Sequence, residues 1–127
     1  MRFPKNPRRE NKAFRDLARL QDCTMNVPGV CNYMPETVVL AHSNWMEDNK
    51  GKGYKAHDHT GVWACYACHS WLDQGRATDE EKRVAFTQAQ ARMIQRLADI
   101  ATSPTAKPAH VEAARWALLE IKSDLNP

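Results

Sequence analysis

Apolar residues recur at helical spacing through the last third of the chain and predict two long helices there. Residues 78–81 (TDEE) form a capping-box pattern, in which the threonine hydroxyl and the second glutamate carboxylate satisfy N–H groups at a helix start. Residues 102–104 (TSP) interrupt the pattern. We expect a second helix to begin near Pro108, because proline is tolerated in the first helical turn.

Each of these predicted helices has one apolar stripe. The first stripe consists of Phe86, Ala89, Met93, Leu97 and Ile100. The second stripe consists of Val111, Ala114, Leu118, Ile121 and Leu125. A stripe at three- and four-residue spacing buries one side of a helix, so we expect a helical hairpin over residues 78–127. Association of two copies into a homodimer is the alternative use of the second stripe.

The preceding segments predict shorter elements. Phe14, Leu17 and Ala18 favour a short helix around residues 9–21. Residues 38–41 (VVLA) and 62–64 (VWA) predict two strands, and residues 69–73 predict a helix that stops at Gly75. We therefore expect an α+β fold with more helix than strand. Its segments would be an N-terminal arm and helix (1–22), a core (23–77) and the hairpin (78–127).

Composition places the chain among globular proteins. It has 127 residues, of which 43% are hydrophobic and 26% charged, a balance that argues against disorder. No run approaches the roughly 18 apolar residues that cross a bilayer. No apolar stretch follows the basic first residues, as a secretory signal requires. We expect a cytoplasmic protein with no membrane contact.

Positive charge is concentrated at the start of the chain. Residues 1–20 carry seven lysines and arginines against two acidic residues, whereas the whole chain has a net charge of +3. A basic arm on a near-neutral body is typical of proteins that bind a polyanion such as nucleic acid. A solvated segment that only aids solubility is the alternative interpretation.

The four cysteines fall into two pairs. Cys65 and Cys68 form a Cys-x-x-Cys motif, and Cys23 and Cys31 form a looser pair around a Pro-Gly turn. Four converging thiolates are the ligand set of a structural zinc ion. Disulfides do not suit a reducing compartment, and a redox pair would leave Cys23 and Cys31 unexplained. Cysteines without a ligand remain the other alternative.

Four histidines share the cysteine-containing segment. His42 ends the first predicted strand, and His57 and His59 flank Asp58 ahead of the second strand. His69 directly follows Cys68. Imidazole and carboxylate groups in one segment indicate metal-assisted hydrolysis, in which a neutral imidazole takes a proton from water and a divalent cation stabilises charge on a phosphate.

Taken together, residues 15–76 resemble the HNH, or ββα-metal, endonuclease superfamily. They resemble most closely a small family of nucleases encoded by lambdoid phages and prophages. The landmarks of the resemblance include Cys23, residues 28–32 (PGVCN), 35–37 (PET), 40–42 (LAH), Gly51, Gly53, Lys55, Asp58, residues 64–69 (ACYACH) and Asp73. The resemblance implies a zinc-braced ββα-metal core and a metal-dependent endonuclease that cleaves DNA. Such a protein would act in phage recombination, replication or DNA processing in the bacterial host cytoplasm.

The resemblance also implies residue roles. His42 matches the general base that activates water, and His69 matches a ligand of a catalytic Mg²⁺, Mn²⁺ or Zn²⁺ ion. The family often has a metal ligand where this chain has Ala41. Asp58 is the candidate replacement, with His59 or His57 behind it. Cys23, Cys31, Cys65 and Cys68 match a structural zinc site.

One family feature has no clear match here. The middle asparagine that orients the base could correspond to Asn44 or to Asp58. Contacts to DNA phosphates would come from Arg8, Arg9, Lys12, Lys50, Lys52 and Lys55.

Three functions follow, in order of preference. The first is the DNA endonuclease. The second is a non-catalytic zinc-binding module that binds nucleic acid or a protein, and it predicts that loss of His42 leaves function intact. The third is a structural zinc domain whose C-terminal helices mediate assembly, without nucleic-acid affinity at physiological salt.

Overall fold

Four α-helices and a two-stranded sheet form the part of the chain that the computed structural model describes, residues 8–43, 45 and 57–125. The elements occur in the order α1, β1, β2, α2, α3, α4. Their bounds are Lys12–Leu17 (α1), Val39–Ala41 (β1), Val62–Ala64 (β2), Tyr66–Gln74 (α2), Asp79–Ala101 (α3) and Pro108–Leu125 (α4). The expected α+β fold with more helix than strand is confirmed.

Helix α3 begins and ends where its sequence predicts. The Thr78 hydroxyl accepts a hydrogen bond from the Glu81 N–H at 3.1 Å, which caps the first turn. Thr102 closes the last turn by donating to the Ala98 carbonyl at 2.8 Å. The predicted stripe is buried at Phe86, Ala89, Met93 and Leu97, and partly buried at Ile100. No helix in the described ranges has both the length and the apolarity to cross a membrane.

Helix α4 confirms the predicted stripe in part, since Ala114 is buried and Leu118 and Ile121 are partly buried against the core. Its buried residues are Ala113, Ala114 and Ala117, while Leu125 is 74% exposed. The burial of Ala113 and Ala117 was not predicted, and it arises because α4 packs against α1 as well as α3. Small alanine side chains allow helices to approach closely, and Trp116 lies against the ring of Phe14, with centroids 5.8 Å apart. Dimerisation through α4 stays a prediction.

The sheet and α2 confirm the predicted strand, strand, helix order. Strands β1 and β2 pair antiparallel, with Val39 opposite Ala64 and Ala41 opposite Val62. Helix α2 starts immediately after β2 and stops before Gly75. Trp63, in the centre of β2, is fully buried. This arrangement places the residue after β1 and the start of α2 at opposite ends of the short hairpin.

A 3₁₀ turn over Asp58–Thr60 packs against the end of β1. Gly61 follows this turn, and a Cβ atom there would lie 3.0 Å from the Ala41 carbonyl oxygen and from the Leu40 side chain. The absence of a side chain at this position therefore allows the turn to approach β1 closely. Asp58 is brought beside the residue that follows the strand, His42.

Helix α1 is shorter than the predicted segment 9–21. Its first turn is capped by the Asn11 side chain, which accepts from the Phe14 N–H at 3.0 Å. Regular helix stops at Leu17, and Leu20 adopts a positive φ of 69°. Phe14 and Leu17 enter one buried apolar cluster that also includes side chains from β2, α2, α3 and α4. The three-segment division stays a prediction.

Candidate functional site

The four cysteines converge in space. Their sulfur atoms all lie within 4.8 Å of one another. Cys65 caps the N-terminus of α2 and Cys68 lies in its first turn, while Cys23 and Cys31 come from the connection between α1 and β1. All four are thiols without a disulfide, and the Cys31 and Cys65 sulfurs are 3.8 Å apart. The looser pair and the Cys-x-x-Cys pair therefore form one cluster.

Backbone N–H groups point at the cluster sulfurs. The Asn26 N–H donates to Cys23 Sγ at 3.4 Å, and the Asn32 N–H donates to Cys65 Sγ at 3.5 Å. The Cys68 N–H also donates to Cys65 Sγ, at 3.4 Å. Such donors, together with the positive end of the α2 dipole, stabilise negative charge on sulfur. The backbone at Asn26 has a positive φ of 45°, a conformation that asparagine adopts more readily than most residues in tight turns.

The cysteine thiols of the cluster differ in pKa because they hydrogen-bond to one another. A hydrogen bond from the Cys68 thiol lowers the pKa of Cys23 to about 4, against the raising effect of burial. That same bond, followed by burial, raises the pKa of Cys68. Burial also raises the pKa of Cys31. One thiolate therefore forms readily and further ones repel it, so four thiolates need a cation. The cluster could hold a metal ion such as zinc.

A second group of polar residues surrounds Asp58. His42 Nε2 lies 2.9 Å from Asp58 Oδ1, and the His42 side chain is 23% exposed while the Asp58 side chain is fully buried. An imidazole that donates Nε2–H to a carboxylate carries its lone pair on Nδ1. The contact fixes the orientation of His42 from the buried side and favours that tautomer.

Three further donors hold the Asp58 carboxylate. Arg15 donates to Oδ2 at 2.7 Å, the Asn11 N–H donates to Oδ2 at 2.7 Å, and Arg8 donates to Oδ1 at 3.0 Å. Burial raises the pKa of the Asp58 carboxyl, but the bonds from Asn11, His42 and Arg15 and the charge of Arg8 outweigh it, so its pKa lies below the usual range. Asp58 is therefore a buried, charged and fully engaged anchor.

This anchor makes stability sensitive to acid. Because the pKa of Asp58 is lower in the folded protein than in the unfolded chain, its contribution is complete above about pH 4 and is lost as the pH falls through the folded value. We expect Asp58→Asn to lower the free energy of unfolding by about 3 kcal/mol at pH 7 and to flatten its decline below pH 4. Urea unfolding at several pH values measures both effects.

The exposed Asp99→Asn variant is the matched control, since the Asp99 side chain hydrogen-bonds only to Gln95 on the same helix among the described residues. It should change the unfolding free energy by less than about 0.5 kcal/mol. Equal pH profiles for Asp58→Asn and the parent protein would contradict the anchor assignment.

The predicted catalytic-metal set of His69, Asp58 and His59 is not gathered by this structure. Within residues 8–43, 45 and 57–125, the cysteines are the only group of three or more metal-ligating side chains that converge. His69 Nε2 lies 3.2 Å from Asp73 Oδ2 on the same helix, and His59 Nε2 lies 2.6 Å from Asp124 Oδ2 on α4. The Asp58 oxygens instead accept hydrogen bonds from Arg15 and the Asn11 N–H, and one of them lies beside His42.

The basic residues predicted to contact phosphate have different surroundings. Arg8 bonds to Glu10 and Asp58, and Arg9 donates to Glu120 and Asp124 at 2.7 and 2.6 Å. Both side chains thus join parts of the protein, whereas Lys12 is 79% exposed beside Asp16. The positions Lys50, Lys52 and Lys55, and the alternative orienting residue Asn44, lie outside the described residues.

The sequence interpretation missed Arg15 and Asn11 as partners of Asp58. Nothing in the chain pattern links positions 11 and 15 to position 58, because the contacts depend on how α1 packs over the 58–60 turn. The one available signal was the excess of positive charge in residues 1–20, which could have indicated partners for a buried carboxylate such as Asp58. That excess was interpreted as a contact surface for nucleic acid.

Comparisons with known proteins connect this site to a family. A family model described as "Putative nuclease YbcO" matches residues 12–102. The chain is 43% identical over 61 residues to "Putative nuclease YbcO" of Escherichia coli (strain K12) and equally to "Putative nuclease ybcO" of Enterobacteria phage 82. These matches cover 48% of this chain, which spans 62% of the length of each relative.

One solved structure is also similar. It is described as "Structure of a putative bacteriophage protein from Escherichia coli str. K-12 substr. MG1655", with 32% identity and a TM-score of 0.48. The match covers 59% of this chain and 83% of that one. Since the family model extends from the start of α1 to just beyond α3, well over half of the chain, this protein belongs to the YbcO family of putative nucleases.

Proposed function

We propose that this protein is a metal-dependent endonuclease of the HNH type that hydrolyses DNA phosphodiester bonds, with a role in phage recombination, replication or DNA processing. The observation that carries the proposal is the 2.9 Å contact between His42 and buried Asp58. Membership of a family described as nucleases makes nucleic acid the expected substrate. The order β1, β2, α2, with His42 after β1 and His69 on α2, supports the HNH assignment.

His42 is the general base in this proposal. Its Nε2–H donates to Asp58, so Nδ1 takes a proton from water as the water oxygen forms a bond to phosphorus. The ester P–O bond breaks, and the leaving oxygen receives a proton from solvent or from the resulting imidazolium. Asp58 stabilises that imidazolium and holds the ring in one orientation, as the orienting residue of the family would.

His69 is the proposed ligand of a catalytic divalent cation, with Asp73 beside it. Their ligand atoms are 3.2 Å apart on the half-exposed face of α2. An imidazole and a carboxylate suit Mn²⁺ or Zn²⁺, and the carboxylate alone suits Mg²⁺. Such a cation, when bound, neutralises charge on the phosphate and its leaving oxygen. Asp58, the earlier candidate for a metal ligand, takes the orienting role instead.

The cysteine cluster is the proposed structural zinc site. Its four sulfurs converge within 4.8 Å and accept backbone N–H bonds, as thiolates around zinc do. A closed set of four protein ligands leaves no position for water, so this ion would brace the core and would not take part in cleavage. The cluster ties the α1–β1 connection to the start of α2.

A cleavage assay tests the proposal directly. Plasmid and branched DNA are incubated with the full chain and Mg²⁺, Mn²⁺ or added Zn²⁺, and His69→Ala is run beside the parent protein. We expect cleavage that needs a divalent cation and falls in the variant while the zinc content stays the same. Metal-independent cleavage, or full activity of His69→Ala, would contradict the assignment of His69.

A non-catalytic zinc-binding module is the second candidate function. Ala41 stands where family members often have a metal ligand, and the described residues bring no third ligand beside His69 and Asp73. This candidate predicts no cleavage with any metal but salt-sensitive binding to DNA. The same assay therefore separates the two functions.

A further inference from the structure

A groove of about 700 Å³ lies between α1 and β1. Arg15 and Arg19 line the helix side, and residues 38–40 line the strand side. Val38 is buried and Val39 is 44% exposed. The groove thus has a wall with positive charge facing an apolar wall that is open to solvent.

Each wall of the groove is connected to one member of the proposed catalytic pair, His42 and Asp58. On the helix side, the Arg15 guanidinium lies in the groove wall and donates to Asp58 Oδ2 at 2.7 Å. On the strand side, β1 continues through Ala41 directly into His42. A molecule in the groove would therefore lie close to His42, the proposed general base, and to Asp58, which orients it.

Arg19 differs from the other arginines near the N-terminus. Across the described ranges it has no ion-pair or side-chain hydrogen-bond partner, and its side chain is exposed. Arg8, Arg9 and Arg15 all contact carboxylates of this chain. The guanidinium of Arg19 is thus available to a phosphate, which it fits through paired N–H donors.

Two carboxylates also line the groove. Asp16 is paired with Lys12 at 2.7 Å. Glu36 lies on the strand side, is exposed, and has no ion-pair partner among the residues that the structure describes. A phosphate in the groove would be attracted by Arg19 and repelled by Glu36, so the two residues should affect binding in opposite directions.

We propose that this groove binds a single strand of nucleic acid, with phosphates against Arg19 and Arg15 and a base or sugar against Val39. The proposal rests on the proposed function and names its substrate more narrowly. A single strand is favoured because only an unpaired strand presents base faces to an apolar wall while its phosphates meet the arginines. Paired duplex hides those base faces.

Binding of a labelled oligothymidylate of about 12 nucleotides tests the groove. The full chain is used in a His42→Ala background without added Mg²⁺ or Mn²⁺, and fluorescence anisotropy is followed over a range of salt concentrations. We expect Arg19→Ala to weaken binding about tenfold and to reduce the salt slope by about 0.7, the loss of one phosphate contact on a single strand.

Arg115→Ala is the matched control, because Arg115 is exposed on α4 and has no ion-pair partner in the described part of the chain. It should change affinity by less than about twofold. Glu36→Gln should tighten binding about threefold, because it removes a repulsive charge. A merely structural role for the groove residues would not give a gain of affinity.

Equal affinities for the Arg19 and Arg115 variants would overturn the groove proposal, as would weaker binding by Glu36→Gln. Duplex DNA that binds as tightly as the oligothymidylate, with the same loss in Arg19→Ala, would overturn its single-strand part. If Arg19→Ala binds as well as Arg115→Ala, an extended peptide paired with the open edge of β1 would be the remaining occupant. None of these results bears on the proposed function, because the divalent-cation cleavage assay is scored separately.

Discussion

Replacement of His42 by alanine is expected to lower the rate of DNA cleavage by about 10²- to 10⁴-fold, the usual contribution of a general base. The side chain lies after β1, 23% exposed, with Nε2 held 2.9 Å from buried Asp58. Removing it deletes the proton acceptor but leaves the cysteine cluster unchanged. Single-turnover cleavage rates measured with saturating divalent cation report the effect on chemistry.

The matched control for His42→Ala is His110→Ala on α4, outside the Asp58 contacts. It should cleave at the parent rate, and both variants should keep the zinc content and the helical circular dichroism signal of the parent. Cleavage by His42→Ala at a rate near the parent value would refute the role of the base. That result would indicate that another residue acts as the base, or that the activity comes from a contaminating nuclease.

Removal of the proposed zinc ion from the cysteine cluster is expected to unfold the central part of the chain. Structural zinc contributes an apparent 10–16 kcal/mol to small domains, about as much as the whole stability of a typical domain, roughly 5–15 kcal/mol. The cluster joins Cys23 and Cys31 to α2 across segments with few other regular hydrogen bonds. Cys65→Ser should have a similar effect, because it removes one thiolate of the cluster while serine can still cap α2.

Circular dichroism during a chelator titration measures this unfolding, with metal content determined on the same samples. Part of the helical signal should survive, because α3 and α4 pack against each other through the buried stripe of α3. Re-addition of Zn²⁺ should restore the signal in the parent protein but not in Cys65→Ser. An unchanged thermal midpoint after complete metal removal would contradict a structural role.

Much of the fold could be predicted from local pattern. The start of α3 at Thr78, the two strands and the stop of α2 at Gly75 all follow from caps, β-branched runs and glycine. The burial of Ala113 and Ala117 on α4 could not, since it depends on close contact of that helix with α1 and α3. A stripe of larger apolar residues on that helix was a stronger local signal than those alanines.

The candidate site divides in the same way. The four cysteines could be grouped from the Cys-x-x-Cys spacing and the count of four, and the structure brings them together. The pairing of His69 with Asp73 and of Asp58 with His42 could not be predicted, because residue type and position in the sequence do not determine which way a side chain points. The roles of His42 and His69, and the identity of any metal, stay predictions.

The arginine contacts of the N-terminal segment also bear on the order in which parts of the chain fold. Arg9 bonds to Glu120 and Asp124, 111 and 115 positions away, while the neighbouring Arg8 bonds to Asp58. Contacts that distant close large loops, so their formation costs more chain entropy than the formation of local helices and turns. We therefore expect the helices and the cysteine turns to form first, and the N-terminal segment, which supplies Arg8 to Asp58 beside His42, to be fixed only when it meets α4.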